Sequence, residues 1–192
     1  MIVVILIIGA YLLGTILTAT WIGKIFGRNI RIEGSGNPGA RNAGRVLGKW
    51  AFVLVFLGDA LKGAIPVAAA KWLDCGTAVE LAVLLAAMLG HILPVFYKFR
   101  GGQGISTYIG GLLMFYPPLF AGFAIVFLLV YPFLRSFTLA GFAAIVAVPF
   151  LSCLFSFSYV EPFLLGCLSV LLIFAHQKDL MFRMTGRTGK NK

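Results

Sequence analysis

The residues whose types and spacing carry the most chemistry lie in one stretch, Gly34-Ser-Gly-Asn-Pro-Gly-Ala-Arg-Asn-Ala-Gly-Arg45. Closely spaced glycines let a backbone turn through positive φ and present successive N–H groups, which makes an anion-binding nest. Gly34, Gly36, Gly39 and Ala40 supply such a backbone, and Ser35, Asn37 and Asn42 add polar side chains. Arg41 and Arg45 have the planar fork that grips a phosphate bidentately. The run Arg45-Val-Leu-Gly-Lys49 leads into an apolar stretch, so a helix N-terminus is expected there to add its dipole. No Gly-Lys-Ser/Thr follows, which excludes a nucleotide-binding P-loop.

A second glycine-rich segment, Gly101-Gly102-Gln103-Gly104, follows a basic turn at Lys98 and Arg100 and opens another apolar run. Two such loops on one membrane face point to two phosphates, or to one phosphate held from both sides. Asp59 and Lys62 are three residues apart, share a helix face and can pair. They lie on the order of 10–20 Å into their apolar run, where charge is costly and usually functional; a structural ion pair is the competing reading. His91 reads as a satisfied interfacial histidine. His176, followed by Gln177, Lys178 and Asp179 where the last apolar run ends, is the better site candidate. No metal site is expected.

The elements that must position these residues follow from composition. Of 192 residues, 60% are apolar and 11% charged, with a mean hydropathy of +1.00. A soluble domain of this size could not cover so much apolar surface with so few charges. Apolar runs fall at roughly 1–23, 50–72, 77–97, 105–134, 138–157 and 160–176, most of them near the ~20 residues a membrane-spanning helix needs. The run 105–134 is too long for one span and carries Pro117-Pro118. If it is split there, fourteen of the sixteen basic residues fall on one face, and the positive-inside rule makes that face cytoplasmic.

The expected fold is therefore all-α and polytopic. It has seven transmembrane segments, with 105–116 a short one, the N-terminus outside and the C-terminus in the cytoplasm. A single membrane domain covers 1–192, with cytoplasmic glycine-rich loops at about 24–49 and 98–104. The net charge of +10 sits in short loops between apolar runs, so its expected partners are lipid headgroups, not nucleic acid. Cys75, Cys153 and Cys167 form no CxxC or Cys/His cluster and read as apolar fillers. The N-terminal run lacks a preceding positive charge and reads as a first span, not a cleavable signal.

Taken together, these residues resemble the acyl-phosphate-dependent glycerol-3-phosphate acyltransferases of bacterial membranes (PlsY). The resemblance rests on Tyr11-Leu-Leu-Gly-Thr15, Gly34-Ser-Gly-Asn-Pro-Gly-Ala40, Asp59 with Lys62-Gly63, Gly90-His91 with Pro94-Val-Phe96 and Gly101-Gly102, and the late His176. It implies transfer of a fatty acyl group from acyl phosphate to the 1-hydroxyl of glycerol 3-phosphate, giving lysophosphatidic acid at the cytoplasmic face of the bacterial plasma membrane. No cofactor is implied. The first loop would hold the acyl-phosphate phosphate through backbone N–H groups. Ser35, Arg45 and His176 would act on glycerol 3-phosphate, and Thr138 falls where the family has a serine.

Several positions depart from the family pattern. Gln103 stands where the family has Lys, Arg41 where Thr is usual and Asp179 where Asn is usual. In the tail, Phe182 takes the place of an Arg, which follows at Arg183, and Thr188 that of a Glu. The departures at Gln103 and Asp179 keep open a relative that acylates another acceptor. A carrier for phosphorylated solutes is a third reading, disfavoured because no inverted repeat or paired broken helices mark a midplane site.

Overall fold

High apolar content with good helix formers and few strand signals dictates helices, since lipid leaves backbone groups no partner but one another. The computed structural model describes residues 1–155 and 157–177, and no strand occurs among the described residues. The chain divides into two compact units, Met1–Tyr116 and Pro117–Lys192. Four segments are long and apolar enough to cross a membrane: Ile2–Ile25, Lys49–Trp72, Thr77–Tyr97 and Pro117–Leu134. Three shorter apolar helices, Ile105–Phe115, Phe137–Ser152 and Val160–Ala175, accompany them.

In the first unit the N-terminal apolar run, expected as one helix, is broken into α1 (Ile2–Gly14) and α2 (Thr18–Ile25). Thr15 Oγ1 turns back to the carbonyl of Leu12 at 2.6 Å, and the carbonyl of Ile16 accepts from Lys62 Nζ at 2.6 Å. A break inside an apolar span is tolerated when another helix satisfies the freed backbone in this way.

The loop after α2 leads into a short helix, α3 (Ala40–Leu47), then through Gly48 into α4 (Lys49–Trp72). The helix start expected near Arg45–Lys49 therefore has a second, earlier counterpart at Ala40. Ala19, Ile30, Ala43 and Val55 bury together, fixing the loop and α3 against α2 and α4.

Helix α5 (Thr77–Ile92) is followed by a 3₁₀ turn at Val95–Tyr97 and then α6 (Ile105–Phe115). A Cβ on Gly63 of α4 would come within 1.9 Å of the Thr107 carbonyl oxygen, and one on Gly110 within 2.0 Å of that of Ala60. The two backbones thus touch, the close approach that small residues allow between apolar helices. With 11 residues α6 is ~16 Å long, about half the hydrocarbon core. Lys71 Nζ closes its end by donating to the carbonyls of Met114 (3.1 Å) and Phe115 (2.7 Å).

Tyr116 is extended, and helix resumes at Pro117, so the run 105–134 is two helices, divided where charge placement divides it. The second unit holds α7 (Pro117–Leu134), α8 (Phe137–Ser152) and α9 (Val160–Ala175). Ser169 Oγ ties α9 to α8 through the carbonyl of Ile145 at 3.0 Å.

Candidate active site

The first glycine loop is built around Asn42. This side chain is 1% exposed, accepts from the Ser35 N–H at 2.8 Å, and donates to the carbonyls of Ile30 (3.0 Å) and Glu33 (2.9 Å). Gly34 sits at φ +61° directly against the Asn42 amide, where a Cβ would collide with Oδ1. Asn42 is expected from the sequence to bind a ligand; its amide instead holds the loop. The Gly36 N–H donates to the Glu33 carbonyl and the Gly39 N–H to the Asn37 carbonyl. Gly39 caps α3, and the Ala40 amide, at the first helical position, has no backbone acceptor among the described residues.

Outside the loop's core, Arg28 pairs with Glu33 through both Nε and Nη2. The hydrogen bond from Arg28 holds the Glu33 carboxyl below the ordinary carboxylate range.

Arg41 and Arg45, four residues apart on α3, share an open cavity of about 480 Å³ with Gly44, Lys49, Phe52 and Val53. Phe52 stacks on Phe56, with ring centroids 6.1 Å apart. Three cations above an aromatic and aliphatic floor suit an anion joined to a hydrocarbon chain. Lys49 and Phe52 were not among the sequence candidates. The signal was present in the four-residue step Arg41–Arg45–Lys49, but Gly48 (φ +94°) interrupts the helix, so periodicity alone could not place Lys49 beside the arginines. Ser35 is exposed and does not line this cavity.

The second glycine loop adjoins the first. Asn37 Nδ2 donates to Gln103 Oε1 at 3.0 Å, which brings together two candidates 66 residues apart. Gly101 and Gly102 have other work. Their N–H groups donate to the carbonyls of Ile92 (3.1 Å) and His91 (3.0 Å), so neither amide faces outward. A Cβ on Gly102 would lie 2.2 Å from His91 Nε2, and glycine there lets the loop lie flat on the imidazole. Gly104, in the left-handed region, caps α6.

His91 is itself 2% exposed, deeper than an interfacial histidine. Its Nδ1 accepts from Lys62 Nζ at 3.1 Å, and Lys62 Nζ lies 2.7 Å from Asp59 Oδ1. Asp59, Lys62 and His91 therefore form one buried cluster under the second loop, with the ring proton left on Nε2.

In the second unit, Thr138 and Phe142 share a face of α8, and Phe142 meets the His176 ring edge-on at 5.0 Å. His176 Nδ1 donates to the Leu172 carbonyl at 2.9 Å, which leaves Nε2 as the basic nitrogen of the neutral ring. Both Thr138 and His176 are buried. Asp179 and the tail departures at Phe182, Arg183 and Thr188 lie outside the described residues.

A family model described as glycerol-3-phosphate acyltransferase matches residues 4–186. The chain belongs to the glycerol-3-phosphate acyltransferase family. It is 43% identical over 173 residues to a glycerol-3-phosphate acyltransferase 1 of Bacillus cereus, covering 90% of this chain and 95% of that one. It is 38% identical over 180 residues to a glycerol-3-phosphate acyltransferase of Pseudomonas paraeruginosa, covering 93% and 94%.

Two crystal structures of PlsY, an integral membrane glycerol 3-phosphate acyltransferase, share the fold at 33% identity, each covering 100% of this chain and 96% of that one. The glycerol 3-phosphate form matches with a TM-score of 0.89 and the lysophosphatidic acid form with 0.87. With its long apolar helices, this family member is a membrane protein.

Proposed function

We propose that the chain transfers a fatty acyl group from an acyl phosphate to the 1-hydroxyl of glycerol 3-phosphate, releasing lysophosphatidic acid for phospholipid synthesis. The observation that carries this reading is the cavity in which Arg41, Arg45 and Lys49 stand over Phe52 and Val53, since it offers one molecule both phosphate partners and an apolar wall. A phosphate there also meets the first turn of α4, which begins at Lys49 on the cavity wall.

The reaction needs no protein nucleophile, because an acyl phosphate is already activated. The acceptor hydroxyl oxygen bonds to the acyl carbon, the bond from that carbon to the phosphate oxygen breaks, and the departing phosphate takes the hydroxyl proton. The protein's part is to position both substrates and to stabilise the developing charge. Arg45 and Ser35 bind the acceptor in this reading. His176 and Thr138 are assigned to it by correspondence with the family, and Asp179 with them.

The orientation follows the charge distribution. In this reading the chain makes seven crossings of a bacterial plasma membrane, with the N-terminus outside and the glycine loops facing the cytoplasm.

Purified protein supplied with acyl phosphate and glycerol 3-phosphate should form lysophosphatidic acid. Arg45→Ala should lower the rate by about 10²–10³, the cost of removing a well-placed charge-stabilising donor, while thermal unfolding stays unchanged. No product from any acyl phosphate would sink the reading.

A further inference from the structure

A second cavity, about 470 Å³, lies between α2, the segment that follows it and Tyr97, and plays no part in the reaction above. Thr20, Lys24, Arg28, Asn29, Arg31 and Tyr97 line it. Arg31 lies over the Tyr97 ring at 5.2 Å from its centroid. Its Nη1 is buried with no hydrogen-bond partner among the described residues, and so is Thr20 Oγ1, on a residue only 8% exposed. Lys24 packs over Trp21 at 5.5 Å. Of the lining cations, Arg28 is paired to a carboxylate among the described residues, that of Glu33.

Buried donors without acceptors are costly and rare in native proteins, so a cavity lined by two of them is shaped to receive an acceptor. Three cations against one carboxylate make that acceptor an anion. The surroundings decide which kind. Trp21, Ile25, Phe26, Ile32 and Phe96, next to lining residues in the chain, are 56–80% exposed. Exposed aromatic and aliphatic residues beside basic ones are what a membrane–water interface selects. A free anion gains nothing from them, whereas a phosphate carried on hydrocarbon chains satisfies both the cations and the apolar rim.

We infer that this cavity is a binding site for the phosphate of an anionic phospholipid. Arg31, Lys24 and Thr20 hold the phosphate oxygens, and the chains run along Trp21 and Ile25. The site backs onto the glycine loop. The Ile30 carbonyl beside Arg31 is held by Asn42, and the Arg31 carbonyl lies 3.1 Å from where a Gly36 Cβ would stand.

The test is native mass spectrometry of the full-length protein in detergent, titrated with phosphatidylglycerol or phosphatidylcholine. Phosphatidylglycerol should be retained in preference, and the double variant Lys24→Gln/Arg31→Gln should weaken it on the order of tenfold or more. Arg135→Gln, an exposed charge in the second unit, should leave retention unchanged. Thr20→Val keeps the shape and should weaken retention severalfold, which decides the matter if the double variant unfolds. Equal retention of the two lipids, equal loss in Arg135→Gln, or full retention by Thr20→Val would each overturn the assignment. Displacement by millimolar inorganic phosphate would also overturn it, since the ligand would then be a soluble anion.

Discussion

Asp59, Lys62 and His91 are buried and face one another, whereas Arg41, Arg45 and Lys49 stand over an open cavity. Both groups are charged, both lie in the first unit, and each includes cations of α4 or its approach. The difference is enclosure. In the first group a carboxylate, an imidazole and the freed carbonyl of Ile16 close around Lys62. In the second, the cavity stays open over cations drawn from α3 and the start of α4. Charge within a membrane segment is therefore a weak guide to chemistry unless its partners are traced.

That contrast can be broken most severely at Lys62. Lys62→Ala leaves Asp59 as an uncompensated buried charge and should destabilise the protein by about 3–5 kcal/mol. Thermal unfolding in detergent measures this, and activity should fall only as the folded fraction falls. Replacing the pair together, Asp59→Leu with Lys62→Met, should recover only part of the loss, since the Ile16 carbonyl still lacks its donor. If the double variant folds well but is inactive, the cluster has a chemical role after all.

Asn42→Ala comes next. It removes three hydrogen bonds that fix residues 30–35, worth roughly 2 kcal/mol or more in total. The expected outcome is a rate lowered about tenfold with little change in global unfolding, seen as faster hydrogen exchange across the loop. Gln103→Lys sharpens the comparison from the other side by adding a cation where the loops meet. It should raise glycerol 3-phosphate use severalfold, and an unchanged acceptor preference would count against an acceptor role for position 103.

The smallest effect belongs to Glu33. Its folded-state titration is lowered by Arg28, so the pair's support for the loop is complete above the ordinary value of 4.5 and disappears as pH falls through the lowered one. Hydrogen exchange at residues 28–35 should rise below that point in the native protein, and Glu33→Gln should flatten the dependence.

The helices were legible because hydropathy fixes them, and the division at Tyr116 was legible because charge must end on one side. The interruption at Thr15–Leu17 was not. Leu12-Leu-Gly-Thr-Ile-Leu17 holds no proline or charge, and the partner that makes a break tolerable is Lys62, 46 residues on. Both glycine loops stand out in the sequence, yet their glycines do different things. Gly34 yields to Asn42, while Gly101 and Gly102 bind back to His91 and Ile92. Glycine spacing announces an unusual backbone, but only the tertiary neighbours say whether its amides point at a ligand or at the protein.

Half-length α6 also bears on how the chain is made. A segment of ~16 Å is too short to partition into the bilayer by its own hydrophobicity. Its closing group, Lys71, and the Gly63 groove it fits belong to α4, which leaves the ribosome more than thirty residues earlier. The receptor for α6 is thus already in the membrane when α6 emerges, and vectorial synthesis supplies the order of assembly that its sequence lacks.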